Sequence, residues 1–256
     1  MNEFNTNANL ITNPQEAVEQ FVGEQFIEWL MEYIPHEMRT WPVIQRILAS
    51  RPKPEKIKKF MLQRFLAAEA YLGQREGDPG FLRFAIANLS ESDDPEAESA
   101  LQILEEKRQE RLTGHKIEKG IIHTTQRELW IRLLKSLGFT DEEIAKAEPK
   151  EITRNYIADL SEIFSNLEWQ TAVGAFAGFE RALAEENKVL LEILKNSMSL
   201  TEKDLEILVQ PLESTHILDK IVFDLEGKQL VWAGIQKQLD IHQEFLIGLS
   251  KYLIDH

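Results

Sequence analysis

Residues 54–74 read PEKIKKFMLQRFLAAEAYLGQ, and this stretch decides the fold class. Apolar side chains recur in it three or four positions apart, which is the period of an amphipathic α-helix. They are Ile57, Phe60, Met61, Phe65, Ala68 and Leu72. Pro54 suits the first helical turn, where the missing N–H has no intrahelical partner to lose. The sequence therefore predicts a long helix from Pro54 to about Gln74.

The same period predicts helices along almost the whole chain. Besides 54–74 they cover residues 13–33 (ended by Pro35), 41–49, 81–89, 95–111, 117–137, a short helix after Thr140, 153–164, 166–196, 201–223, and a last helix from a break at Gly227 to Leu253. No stretch alternates apolar and polar residues in the way a half-buried strand does. We therefore predict an all-α fold.

Length and composition favour one domain. The 256 residues are 43% hydrophobic, and 12 Gly and 9 Pro are few for this length, as expected for long helices. We expect residues 1–13 to form a flexible polar tail and residues 14–256 to form a single helical domain. The acidic stretch 90–98 is interpreted as a loop insertion within that domain.

Charge and cysteine content exclude several function classes. The net charge of −14 opposes binding to nucleic acids and to anionic membranes. The absence of cysteine excludes disulfides, thiolate metal sites and cysteine nucleophiles. Since the chain shows no secretory leader and no long apolar run, we expect a cytoplasmic protein. One basic cluster is either a solvated helix face or a patch for an acidic ligand: Arg51, Lys53, Lys56, Lys58, Lys59 and Arg64.

Several segments, in this order, carry a family resemblance. Residues 41–50 read WPVIQRILAS, residues 55–69 read EKIKKFMLQRFLAAE, and residues 126–138 read QRELWIRLLKSLG. They are followed by FAGFE at 176–180 and ESTH at 213–216. Together they resemble the TenA/PqqC/CADD group of the haem-oxygenase-like superfamily, which includes iron-containing redox enzymes. The resemblance implies a bundle of about seven main helices around a central pocket.

Glu180 is the first candidate site residue. It shares a helical stripe with Phe176, Leu183 and Leu190, so its carboxylate is expected to point inward. Glu213 and His216 are three positions apart, a spacing that places both side chains on one metal ion. In the di-iron oxidase branch of the family the matching positions are metal ligands. The resemblance therefore implies non-haem iron, mononuclear or dinuclear, held by Glu180, Glu213 and His216.

The ligand motif is incomplete. Val209 and Gln126 stand where the family has histidines, while His115 and His123 are out of register. An upstream carboxylate ligand is Glu91, Glu110 or Glu118, with Glu91 as the leading choice. The alternative is a protein without a cofactor, in which Glu180 pairs with an Arg or Lys from another helix and His216 bonds to it without a metal.

Three more residues are predicted to line the pocket: Glu69, Gln126 and His242. Glu69 shares a face with Leu62, Phe65 and Leu72, which also suits a buried ion pair. His242 lies on a stripe of Ile235, Leu239, Leu246 and Leu249, and a hydrogen-bonded core histidine is the favoured interpretation.

The leading functional hypothesis is a CADD/PqqC-like protein that binds a small organic molecule in the bundle core, as a non-haem iron-dependent oxidase if the metal site is complete. One alternative is a degenerate, non-catalytic member that serves binding or assembly. Another is a TenA-like hydrolase that lacks the usual cysteine nucleophile. Haem cleavage is disfavoured, because His36 alone lies near the first helix, just after Pro35. Relatives are often dimers, so a homodimer is expected.

Overall fold

The computed structural model describes residues 13–73, 80–113, 124–165, 168–209, 218 and 223–254. Within these ranges all regular secondary structure is helical, which confirms the predicted all-α class. The described ranges contain twelve helices: α1 Pro14–Gln20, α2 Glu24–Thr40, α3 Pro42–Ala49, α4 Pro54–Leu72, α5 Phe81–Ser90, α6 Pro95–Thr113, α7 Gln126–Ser136, α8 Asp141–Lys146, α9 Glu151–Phe164, α10 Trp169–Ser197, α11 Glu206–Val209 and α12 Leu225–Ser250.

Local sequence signals set many of the helix starts. A proline occupies the first turn of α1, α3 and α4, where its fixed φ suits the helix. Thr125 and Thr140 each form a capping box with the glutamate three residues later, at the starts of α7 and α8. The Asp224 carboxylate accepts from the Gly227 N–H and caps α12.

The two longest helices, α10 and α12, pack against each other at the centre of the bundle. Two glycines allow this close approach. A Cβ added to Gly174 would lie 2.1 Å from the Val231 carbonyl oxygen, and one added to Gly234 would lie 2.1 Å from the Thr171 carbonyl oxygen. The helix backbones therefore touch where the side chains are smallest.

The prediction of one helix over residues 13–33 that ends at Pro35 is wrong. The chain breaks at Gly23, whose φ of +52° lies in the region that favours glycine, and α2 continues through Pro35. A proline in a helix has no N–H to donate to the carbonyl four residues earlier. Here that carbonyl belongs to Met31, and the Arg181 Nη2 donates to it at 3.1 Å. A side chain from α10 thus replaces the missing backbone donor.

The break between α1 and α2 is stabilised in a similar way. Lys228 on α12 is buried, and its Nζ donates to the carbonyl oxygens of Val18 at 2.8 Å and Phe21 at 2.7 Å. These carbonyls lie at the C-terminal end of α1, where no further helical turn supplies donors. A buried lysine therefore holds α1 against the core.

Three further predicted boundaries are wrong. Helix α7 begins at Gln126 rather than residue 117, because Thr125 caps it; residues 114–123 lie outside the described part. The helix predicted to begin at residue 201 begins at Glu206 instead, after a turn over residues 202–205; the part of that prediction on 210–217 and 219–222 lies outside the described residues. Gly227 lies inside α12 rather than at a break, since Asp224 starts that helix.

The helices of the described residues include none that is long and apolar enough to cross a membrane.

Candidate functional site

A cleft lies between α4, α7, α9, α10 and α11. Its floor is buried, whereas Gln126, Leu183 and Asn187 at its rim are partly exposed. Its lining residues are Arg64, Ala67, Ala68, Tyr71, Gln126, Trp130, Tyr156, Phe179, Leu183, Asn187 and Ile207. The cavity volume is about 30 Å³. The cleft is therefore narrow, with apolar walls and polar groups on its floor.

A buried charge cluster adjoins this floor. Arg64 on α4 and Glu186 on α10 are 2% and 1% exposed, and their Nε and Oε1 atoms are 2.6 Å apart. The Nε2 of His242 on α12 lies 3.3 Å from the other carboxylate oxygen of Glu186. Burial alone would raise the pKa of the Glu186 carboxyl, but Arg64 and His242 outweigh it and hold that pKa below its ordinary value. Glu186 is therefore a buried anion.

Tyr156 on α9 joins this cluster to the cleft. It lines the cleft, and its hydroxyl is 2.9 Å from the Nδ1 of His242. Its ring stacks on Phe245 with centroids 3.9 Å apart, which fixes the hydroxyl in place. Burial raises the pKa of Tyr156 well above its ordinary value, so the hydroxyl stays protonated.

A second buried carboxylate, Glu180, lies one and a half turns earlier on α10. It is fully buried, as its helical stripe predicted. The hydroxyl of Tyr71, which also lines the cleft, donates to its Oε1 at 3.3 Å. The cleft floor thus presents two tyrosines, each bonded to a buried titratable group of a neighbouring helix.

The three residues predicted to line the pocket have different positions. Gln126 is part of the cleft rim. Glu69 is 2% exposed, and its Oε1 accepts from the Arg127 Nε at 2.8 Å, which is the ion pair that its stripe suggested. His242 is fully buried and is not part of the cleft lining, but its Nδ1 contacts the hydroxyl of the lining residue Tyr156.

Of the predicted metal ligands Glu180, Glu213, His216 and Glu91, only Glu180 and Glu91 belong to the described part of the chain. Glu91 is exposed at the C-terminal end of α5, so its carboxylate faces solvent and not the interior. Glu213 and His216 lie outside the described residues, as do His115, His123 and Glu118. The iron site that includes Glu213 and His216 stays a prediction.

Among the described residues near the cleft, the donor groups do not form a metal site. In the described ranges no group of three His, Asp or Glu side chains is placed to hold one. At Glu186, the guanidinium of Arg64 already occupies the position of a cation, and both ring nitrogens of His242 face protein groups.

Sequence reasoning missed Arg64, Tyr156 and Glu186. Arg64 was grouped with the basic cluster that begins at Arg51, but it is buried, whereas the other members of that cluster are exposed or half-buried. The signal was present: Arg64 continues the inward face of Phe60 and Met61 by one helical turn. Glu180 was selected because it is an ionisable residue on an apolar helical stripe, and Arg64 and Glu186 meet the same criterion.

A model of the TENA/THI-4/PQQC family matches residues 79–206, which is half of the chain. The chain belongs to the TENA/THI-4/PQQC family. The matched segment of this chain extends from α5 to the first residue of α11 and includes Tyr156, Glu180 and Glu186. A search among curated proteins found no match.

Solved structures share the fold of this TENA/THI-4/PQQC family member. A CADD-like protein of unknown function from Nostoc punctiforme PCC 73102 aligns with a TM-score of 0.68 at 14% identity, over 90% of this chain and 99% of that one. A TenA homolog from Pseudomonas syringae pv. tomato str. DC3000 aligns at 0.62 and 12% identity, over 93% and 97%. A domain with a heme oxygenase-like fold from Shewanella denitrificans OS217 aligns at 0.63 and 14% identity, over 89% and 90%. The predicted haem-oxygenase-like fold and family group are confirmed.

Proposed function

We propose that the protein binds a small organic molecule in the cleft between α4, α7, α9, α10 and α11. One observation carries the proposal: the polar side chains Arg64, Tyr71 and Tyr156 converge on the floor of an otherwise apolar cleft. Apolar walls with a few fixed polar groups are the usual composition of a small-molecule site. Membership in the TENA/THI-4/PQQC family is consistent with such a site.

The lining indicates the kind of ligand. Trp130 and Phe179 provide flat apolar surfaces, and the lining residues Tyr71 and Tyr156 each carry a hydroxyl whose oxygen can accept a hydrogen bond. A small aromatic molecule with one hydroxyl or carboxylate group matches this arrangement. Because the cavity volume is only about 30 Å³, the ligand displaces the partly exposed rim side chains Leu183 and Asn187 as it enters.

The test uses three probes, phenol, benzoate and 4-nitrophenol, with binding followed by saturation-transfer NMR and by titration. We expect at least one probe to bind. Ala68→Phe, which fills the rim, should weaken binding by about tenfold or more, a change of about 1.4 kcal/mol.

Ala87→Phe is the matched control, because Ala87 is exposed on α5 and is not part of the cleft. It should leave binding unchanged. Equal weakening by the two variants, or no binding of any probe at millimolar concentration, would contradict the proposal.

A further inference from the structure

We infer that Tyr156, His242 and Glu186 form a proton relay that removes a proton from an O–H group of a molecule bound in the cleft. This inference rests on the proposed function and gives it a substrate class: small molecules with an acidic hydroxyl, such as phenols and enols. It assigns a chemical step to the described residues that requires no metal ion.

The relay is a continuous chain of contacts from the cleft to the interior. Tyr156 lines the cleft, its hydroxyl is 2.9 Å from Nδ1 of His242, and Nε2 of the same ring is 3.3 Å from Oε2 of Glu186. The three side chains come from α9, α12 and α10, and none is more than 2% exposed. Water therefore has little access to the links between them.

The partners of His242 fix the direction of the chain. Glu186 is a buried anion, so the ring nitrogen that faces it, Nε2, carries the proton. In the neutral form of the ring, Nδ1 then carries no proton and accepts the hydrogen bond from the Tyr156 hydroxyl. With its proton directed at His242, the tyrosine oxygen has lone pairs left to accept a hydrogen bond from a ligand. The same order of groups operates in a nucleophile–histidine–carboxylate triad.

The proton step is balanced. The ligand O–H bond breaks as its proton reaches the Tyr156 oxygen, and the proton of Tyr156 moves to Nδ1 of His242. The products are a ligand oxyanion and an imidazolium, so the net charge is unchanged and no oxidant or reductant is needed. Glu186 faces the imidazolium, and Arg64, which pairs with Glu186, also lines the cleft where the oxyanion forms.

A buried ion pair with only a structural role would not need this geometry. Arg64 and Glu186 already neutralise each other at 2.6 Å. His242 and Tyr156 extend the pair to the cleft, at the cost of ordering two more polar groups in the core. The charged and titratable groups that face the His242 ring are thus Tyr156 on α9, Glu186 on α10 and, through Glu186, Arg64 on α4.

The first measurement is ¹⁵N NMR of histidine-labelled protein without ligand, with the His242 signals assigned from a His242→Gln variant. We expect the tautomer with the proton on Nε2, and Tyr156→Phe should shift the Nδ1 resonance because its hydrogen bond is lost. A proton on Nδ1 in the wild-type protein would overturn the relay, whatever the ligand.

The second measurement is the absorbance of bound 4-nitrophenol at a pH where the free probe is mostly protonated. The relay predicts that binding makes the probe more acidic by about tenfold, which is one pKa unit, and that Tyr156→Phe and His242→Gln abolish this gain. Ala87→Phe, on the exposed face of α5, should keep it.

The outcomes separate the two proposals. Binding without a gain in acidity, or the same gain in Tyr156→Phe, overturns the relay and leaves the proposed function standing. Failure of all three probes to bind removes the proposed function and the relay together. If Tyr156→Phe and His242→Gln still bind 4-nitrophenol, they are folded. A bound probe that is no longer more acidic than the free probe then reports on the loss of proton transfer.

Discussion

At the scale of single residues, two ion pairs between long helices show how much burial matters. Arg64 and Glu186 are almost completely buried, whereas Lys237 and Glu162, which join α12 to α9, are 52% and 75% exposed. Removing one partner of a buried pair leaves an unpaired charge in the core, which is strongly unfavourable. An exposed pair is screened by solvent and contributes little. The Arg64–Glu186 pair is therefore expected to be sensitive to substitution and to pH.

We expect Glu186→Gln to lower the free energy of unfolding by about 3–5 kcal/mol at pH 7, because Arg64 loses its counter-charge. The folded-state pKa of Glu186 is lowered, so its ionised form stabilises the protein above the unfolded-state pKa of about 4.3. That contribution is lost as the pH falls through the folded-state value. Urea denaturation at pH 7 and at steps below pH 5 measures both effects, and the variant should lose less stability on acidification than the wild type.

Glu162→Gln is the matched control and should cost about 0–1 kcal/mol, since both members of the Lys237–Glu162 pair are exposed. Equal losses for the two variants would contradict the assignment of Glu186 as a buried anion.

At the scale of elements, the most unusual feature is a proline inside α2. Pro35 leaves the Met31 carbonyl without a backbone donor, and the side chain of Arg181 on α10 donates to that carbonyl instead. Arg181→Met should lower the free energy of unfolding by about 1–3 kcal/mol, because a partly buried acceptor loses its partner. In a Pro35→Ala background the backbone N–H is restored, so the same substitution should cost at least about 1 kcal/mol less.

Urea denaturation of the two single variants and the double variant gives this coupling. Arg181 also lies 4.0 Å from Glu185, but that contact is lost equally in both backgrounds and cancels in the cycle. An identical cost of Arg181→Met with and without Pro35 would show that the carbonyl needs no replacement donor.

The helix ends divide into those that the sequence predicts and those that it does not. The start of α8 was predicted because its capping box is formed by residues three positions apart, Thr140 and Glu143. The continuation of α2 through Pro35 was not, because the stabilising donor is 150 positions away in the chain. Lys228, which holds the end of α1 from α12, is a second case of this kind. Capping and proline rules, which use neighbouring residues only, predict a helix end correctly where no side chain distant in the sequence bonds to the unpaired backbone groups.

At the scale of the whole molecule, the cleft unites five helices, and its residues were only partly predictable. The apolar stripe of α10 correctly indicated that Glu180 is buried. The same reasoning was not applied to Arg64, which was grouped with a basic cluster, or to Glu186, and both are buried. Tyr156 and Tyr71 gave no signal, since an aromatic residue on an apolar stripe is ordinary core. Their role depends on the contacts with His242 and Glu180, which only the packing of α4, α9, α10 and α12 creates.

The packing of α10 on α12 is what holds the parts of the site in register, because Glu186 and His242 lie on these two helices. Gly174→Ala and Gly234→Ala each place a Cβ 2.1 Å from a backbone oxygen of the facing helix, which no side-chain motion relieves. We expect each to lower the free energy of unfolding by about 3 kcal/mol or more. Gly178→Ala should cost less, since its Cβ would meet the Gln238 side chain at 3.0 Å. Thermal and urea denaturation measure the order, and a Gly178→Ala variant as unstable as the other two would show that backbone contact does not control this interface.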